Sequence, residues 1–250
     1  RTDLPTITHF FKRLWACCQK HRITAETLWN CDETGICLAR VGRNSVVAGR
    51  HDSGAWHVAT PGARHNNVTY LPFVSAKGDI ALHGLVMPAA NTLAAADGSM
   101  AGLTRGQQDA VEAASVDYVT HRSSSGFVSG FIFADSLHRF VAAIPDLPEG
   151  HKHLLLLDGA PAHLSYSVME AFADHPKLVL FFFPPNSTCV LQPLDLGLFR
   201  PLKQHISDVL RLDRQAQKLH VARPAGALQV PRVLGNALQK PGVREACVRI

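Results

Sequence analysis

Three aspartates each follow or interrupt a strongly apolar run: Asp32 after Trp29-Asn30-Cys31, Asp158 after Leu154-Leu155-Leu156-Leu157, and Asp195 between Leu194 and Leu196. Burying a carboxylate beside such runs is costly unless a cation compensates it. A divalent metal is the usual compensation, since Mg²⁺ is typically held by one or two carboxylates together with waters and substrate phosphates. The pattern therefore points to metal-assisted phosphoryl chemistry. Three converging carboxylates can hold two ions about 3.5–4 Å apart, clamping the attacking and leaving oxygens of an in-line displacement. Hard oxygen ligands suit Mg²⁺ better than sulfur or neutral groups do.

Each aspartate also has an ordinary reading. Asp32 can make a strand-end turn with Thr34 and Gly35, and Asp158-Gly159 can be a turn of the same kind. Asp195 can be a favourable charge in a helix's first turn. These readings weaken together, because all three positions fit one site. Glu33 is expected to point to the opposite face of the strand from Asp32. His163 reads as a core histidine, a support for a carboxylate or a phosphate contact, and Gln192 as a structurally bonded residue, a support for Asp195 or a phosphate-side contact. Lys203, Arg211 and Arg214 are candidate phosphate contacts, with solvated surface the alternative.

The elements that must position these residues follow from hydrophobic periodicity. Residues 5–21 read as an amphipathic helix carrying Phe10, Phe11, Leu14 and Trp15, and 27–32 as a short strand ending at Thr34-Gly35. Apolar runs at 67–74 and 80–87, joined through Gly78-Asp79, predict a hairpin. Residues 88–126, rich in Ala, Gly and Ser, read as an insertion from the core. A helix is expected over 131–144, a buried strand over 153–158, a helix over 165–175 and a buried strand over 178–183. One further helix is expected from about Pro193, with Leu194, Leu198, Leu202, Ile206 and Val209 facing inward. Three antiparallel strands, then helix, strand, helix, strand, helix, make an α/β mixed five-stranded sheet covered by helices. Residues 1–26 are a lead-in helix and linker, 27–210 the domain, and 211–250 a basic tail to which the fading periodicity assigns no element.

A chain of 250 residues, 46% hydrophobic and 18% charged, is long enough for one large domain with a proper core. No apolar run approaches the roughly 18–20 residues that cross a bilayer, so no membrane partner is expected. Six cysteines without a paired spacing suggest reduced thiols and an intracellular protein. The chain begins at Arg1, not Met, which suggests a fragment. The net charge is +5, but residues 200–250 hold ten Lys/Arg against three Asp/Glu, a balance of +7, leaving −2 for the other 199. A basic terminal segment on a near-neutral body suits a polyanion.

Several blocks, in order, carry a family resemblance: Trp29-Asn30-Cys31-Asp32-Glu33-Thr34-Gly35, Ser75-Ala76-Lys77-Gly78, Leu157-Asp158-Gly159 with His163, and Pro184-Pro185-Asn186-Ser187-Thr188 continuing through Leu191-Gln192-Pro193-Leu194-Asp195 to Phe199-Arg200-Pro201-Leu202-Lys203. Over roughly residues 4–203 the chain resembles the catalytic domain of DDE-superfamily endonucleases of the pogo/Tigger/jerky type, related to Tc1/mariner transposases. The resemblance implies an RNase H-like fold, a catalytic and metal-binding triad at Asp32, Asp158 and Asp195, and two Mg²⁺ or Mn²⁺ ions. It also implies DNA as partner, strand cleavage and transfer, a nuclear setting, and admits a homodimer. The chain departs from the family's usual His at Ala160 and Cys189, and beyond Lys203 it does not read like the family's continuation. A second reading is therefore a domesticated or decayed relative that binds DNA or a partner without cutting. A third, a Mg²⁺-dependent hydrolase of small phosphate esters, calls for a Gly-rich loop opening a helix, and none of the Gly-containing segments has that pattern.

The charge distribution predicts largely sequence-independent DNA binding through the backbone. In a fluorescence-anisotropy titration, affinity for a random duplex should fall tenfold or more between roughly 50 and 200 mM salt. An affinity that barely moves over that range rules this mode out.

Overall fold

A computed structural model describes residues 3–37, 67–88, 105, 109, 112, 114, 116–124, 126–216 and 230–248. Helix α1 (Leu4–His21) starts where Asp3 Oδ1 accepts the Thr6 N–H, and it ends at Arg22 in the left-handed region. Two short strands follow, β1 (Leu28–Cys31) and β2 (Thr34–Cys37), then the expected hairpin of β3 (Asn67–Ser75) and β4 (Ile80–Pro88). Gly78, at φ 98°, makes the turn, and its N–H donates to the Ser75 carbonyl at 2.9 Å. An L side chain is strained at that φ, so glycine is needed there. The remaining strands are β5 (Val119–Ser123), β6 (His153–Leu157) and β7 (Leu178–Phe182).

The strand order is β5-β4-β3-β1-β6-β7, with β2 pairing β3 off this path. Pairs around β3 are antiparallel, while β4–β5, β1–β6 and β6–β7 are parallel. The sheet is mixed and helix-covered as expected, with seven strands where five were expected. The two extra strands are short and poorly marked. β2 begins immediately after Glu33, where Thr34-Gly35 reads as a turn. β5 has the sequence Val-Thr-His-Arg-Ser, yet Thr120, His121 and Arg122 are buried. His121 Nε2 meets Ser136 Oγ at 3.0 Å, so a polar strand is accommodated by tertiary bonding that no periodicity announces. β5 lies in the range read as an insertion; most of the rest of that range lies outside the described residues.

Each strand sends alternate side chains to opposite faces. On one face, Trp29, Phe73 and Leu155 pack under α2 (Gly130–Ala143) and α3 (Tyr166–Ala173). Phe140 of α2 stacks on Phe73 at 4.6 Å between centroids and meets Trp29 edge-on at 5.3 Å. On the other face, Leu154 and Leu156 meet Phe10 of α1, and Tyr70, Val74, Leu85 and Met87 meet the C-terminal helices.

The C-terminal region departs from expectation twice. A short helix α4 (Thr188–Leu191) precedes Pro193, and the one helix expected from there is split into α5 (Pro193–Leu196) and α6 (Phe199–Ala216). Pro201 explains the break: it has no N–H to give Gly197, and its ring would crowd that carbonyl in a continuous helix. The expected inward face survives, with Leu194, Leu198, Leu202 and Ile206 buried. Secondly, residues 230–248, within the range read as a tail, form α7 (Val230–Leu238) and α8 (Pro241–Val248). Val230, Val233, Leu234, Ala237 and Leu238 make a helical stripe that joins the core. Two prolines and two glycines in so short a stretch obscured it.

Leu234 is fully buried, so Leu234→Ala should destabilise the chain by about 2–5 kcal/mol, the usual range for a leucine truncated in a core. Urea unfolding would show this as a lower midpoint. An unchanged midpoint would mean that α7 is not part of the folded unit.

Candidate active site

The first two aspartates are brought together by strand pairing. β1 and β6 run parallel in the register Leu28↔Leu154, Trp29↔Leu155, Asn30↔Leu156. Asp32 and Asp158 each lie two residues past the last of these pairs, beyond the carboxyl ends of neighbouring strands. Asp195 arrives from above the sheet, in the first turn of α5. The Leu194 N–H of that helix donates to Asn30 Oδ1 at 3.3 Å. Asp32 is buried, Asp158 half-buried and Asp195 exposed.

Their charges are coupled. Burial, then the carboxylates of Glu33, Asp195 and Asp158, lift the Asp32 carboxyl to about 8, against the hydrogen bond that its Oδ1 accepts from the Glu33 N–H. Asp195 is also raised, first by partial burial and then by Asp158, with Lys203 opposing. Asp158 goes the other way. Its Oδ1 lies 2.7 Å from His163 Nδ1 and accepts the Ala160 N–H at 3.0 Å, and these bonds outweigh its burial.

His163 is fully buried, and its other nitrogen, Nε2, lies 3.1 Å from Glu33 Oε1. Burial alone would discharge the ring, but the two carboxylates prevail and hold it at about 10. It is therefore an imidazolium donating from both nitrogens, packed 4.3 Å from the Phe133 ring. His163 thus lies between Asp158 and Glu33. The reading of Glu33 is corrected: it turns toward the aspartates. β1 ends at Cys31, so the alternation that would send residues 32 and 33 to opposite faces no longer applies there.

The other singled-out residues separate into groups. Gln192 is fully buried, and neither amide atom bonds to the protein, so it does not face a ligand outside the fold. Lys203 lines a recess of about 370 Å³ with Asp195, Arg200 and Gln204. Arg211 and Arg214 lie on α6, but their side chains fall outside the described residues. Ala160, where the family's usual His is missing, still serves Asp158 through its backbone N–H. Cys31 is buried, and burial and the carboxylates push its thiol up, so it is no thiolate ligand.

A sequence profile of the family described as DDE superfamily endonuclease matches residues 80–238, well over half of the chain. The chain belongs to this family. The match includes Asp158 and Asp195 and runs well past Lys203, the point beyond which no family continuation was expected; Asp32 lies outside it. Among solved structures, this DDE chain is similar to a Mos1 transposase paired-end complex with the left transposon end, at 13% identity and a TM-score of 0.50, over 99% of this chain and 62% of that one. It is also similar to the Mos1 mariner transposase catalytic domain, at 11% identity and a TM-score of 0.44, over 99% and 94%. The first likeness shows the RNase H-like transposase fold. A curated relative, the MFS-type transporter clz9 of Cochliobolus lunatus, is 25% identical over 75% of this chain, which spans only 19% of that protein's length. Among the described residues, no helix is long and apolar enough to cross a membrane.

The family implies a divalent metal, and the donor chemistry here fits one. All three aspartates offer hard oxygens, two have pKa values raised partly by mutual repulsion, and Asp158 Oδ2 and both Asp195 oxygens make no hydrogen bond among the described residues. The three are neighbours and not a closed cage: among the described residues no group of three His, Cys, Asp or Glu is close enough to hold an ion.

These charge states make stability depend on pH in a particular sense. Between its ordinary 3.8 and about 8, folded Asp32 keeps a proton that the unfolded chain has released. Its contribution is complete below 3.8 and is lost as pH rises through about 8. His163 acts in the same sense between 6.5 and about 10. In metal-free buffer, Tm should therefore fall from about pH 6 to about pH 9, and fall less in Asp32→Asn. A Tm that rises over that range contradicts the assignment.

Proposed function

We propose that the chain is a metal-dependent DNA endonuclease of transposase type, with Asp32, Asp158 and Asp195 as the metal ligands. The observation that carries this is the meeting of Asp32 and Asp158 at the ends of parallel β1 and β6, electrostatically coupled to Asp195 on α5. Two Mg²⁺ or Mn²⁺ ions bound there would activate a water or a 3′-hydroxyl and neutralise the departing oxygen. Every other part is played by the chain. Asp32 would bind as a carboxylate, since a nearby cation favours the ionised form over the proton it otherwise keeps. His163 holds Asp158 by Oδ1, and Oδ2 would serve as the metal-binding oxygen. Lys203, beside Asp195, and Arg211 and Arg214 further along α6 would meet the phosphates of the DNA. The setting is the nucleus and the partner DNA, with a homodimer as the proposed assembly.

One observation favours the reading of a relative that binds DNA without cutting: the carboxylates do not form a closed cage among the described residues. Nicking of supercoiled plasmid with Mg²⁺ or Mn²⁺ separates the two readings. The wild-type chain should nick, and Asp158→Asn should lose on the order of 10²–10³-fold in rate, as when a group aimed at transition-state charge is removed. A folded chain that binds DNA and never nicks, with either metal, leaves the binding-only reading.

A further inference from the structure

Asn30 touches all three acid-bearing segments at once. It sits on β1, two residues before Asp32. Its Nδ2 donates to the carbonyl of Leu156 at 3.0 Å, two residues before Asp158 on β6. Its Oδ1 accepts the N–H of Leu194 at 3.3 Å, one residue before Asp195 on α5. The side chain is 3% exposed, so both bonds are sheltered from water. Leu156 is already engaged across the parallel ladder, and the added side-chain bond ties β1 to β6 on the face that α5 covers. α5 has only four residues and begins on Pro193, so its own hydrogen bonds give it little rigidity. The side chain of Leu194 is fully buried, which anchors α5 by depth, but a hydrophobic contact has no direction. A hydrogen bond does, and it fixes the rotation of α5 on which the direction of Asp195 depends.

We infer that Asn30 is a positioning residue for the aspartate triad, setting Asp195 on α5 against Asp32 and Asp158 through one amide that bonds Leu156 and Leu194. This rests on the proposed metal site. Asn30 touches no metal or substrate. An amide suits the task because it donates and accepts at once from a rigid planar group, which neither Asp nor Leu of similar size can do. Removing it takes one bond from the Leu156 carbonyl and the side-chain acceptor from the Leu194 N–H.

The test uses the full chain and Mn²⁺ alone, without DNA. Electron paramagnetic resonance gives the Mn²⁺ affinity, and hydrogen exchange gives the protection of residues 188–198. Asn30→Leu keeps the volume and removes both bonds; Asn30→Ser is the second variant, should the apolar side chain prevent folding. Both should bind Mn²⁺ 10–100-fold more weakly, the usual cost of losing a group that orients a ligand, and should lose protection over 188–198. Leu234→Ala, destabilised at α7 away from the site, should bind Mn²⁺ as the wild type does. A folded Asn30 variant with wild-type Mn²⁺ affinity overturns the inference while leaving the metal site standing. If wild type, Asp32→Asn and Asp158→Asn all fail to bind Mn²⁺, the metal reading fails and takes this inference with it.

Discussion

The parallel ladder between β1 and β6 is the constraint on which the rest of the molecule depends. It sets two carboxylates side by side at the carboxyl ends of adjacent strands, the place where open α/β sheets generally put their ligands. The ladder is held by what lies above and below it. Leu154, Leu155, Leu156 and Leu157 are all buried, two against α1 and two against α2 and α3. Each fully buried leucine is worth about 1.5–3 kcal/mol. Lifting Asp32 from 3.8 to about 8 corresponds to about 6 kcal/mol against its ionised form. At neutral pH that cost is avoided because Asp32 keeps its proton, while the buried leucines fix the ladder that holds the carboxyl groups together.

The layers also explain the asymmetry among the three aspartates. Asp32 and Asp158 are fixed by a strand pair and can stray little. Asp195 stands on a short helix separated from α6 by the break that Pro201 imposes at Gly197. Backbone bonds still cross the break, from the Leu198 N–H to the Leu194 carbonyl and from the Leu202 N–H to the Leu198 carbonyl, and the Asn30 bond ties α5 to the sheet as well. Burial follows the same order, from Asp32 inside to Asp195 outside.

Much of this was legible in the sequence, and the exceptions are physical ones. The helices α1, α2 and α3, the hairpin and the strands β6 and β7 announce themselves by apolar periodicity, since each buries a face or a whole strand in one of the two layers. The aspartates stood out because a carboxylate against an apolar run is costly. Most of what stayed hidden has no local signature. β5 is polar and buried only through partners such as Ser136. β2 is four residues long. Glu33 reaches His163 only because the strand ends one residue before Asp32, and His163 lies 130 residues further along the chain. The helices α7 and α8 had a readable stripe, but prolines, glycines and basic residues around it read as a tail. Asn30 could not be singled out, since its partners on β6 and α5 are 126 and 164 residues away.

The Glu33–His163–Asp158 bridge bears on how such a site is assembled in a newly made chain. Many metal centres cannot close until the ion arrives, because their ligands repel one another, and the apo form stays unfolded. Here a resident imidazolium, sealed beneath the carboxylates, supplies positive charge from within. Proton retention on Asp32 removes a further negative charge at neutral pH. The fold thus neutralises its own carboxylates with groups it already carries.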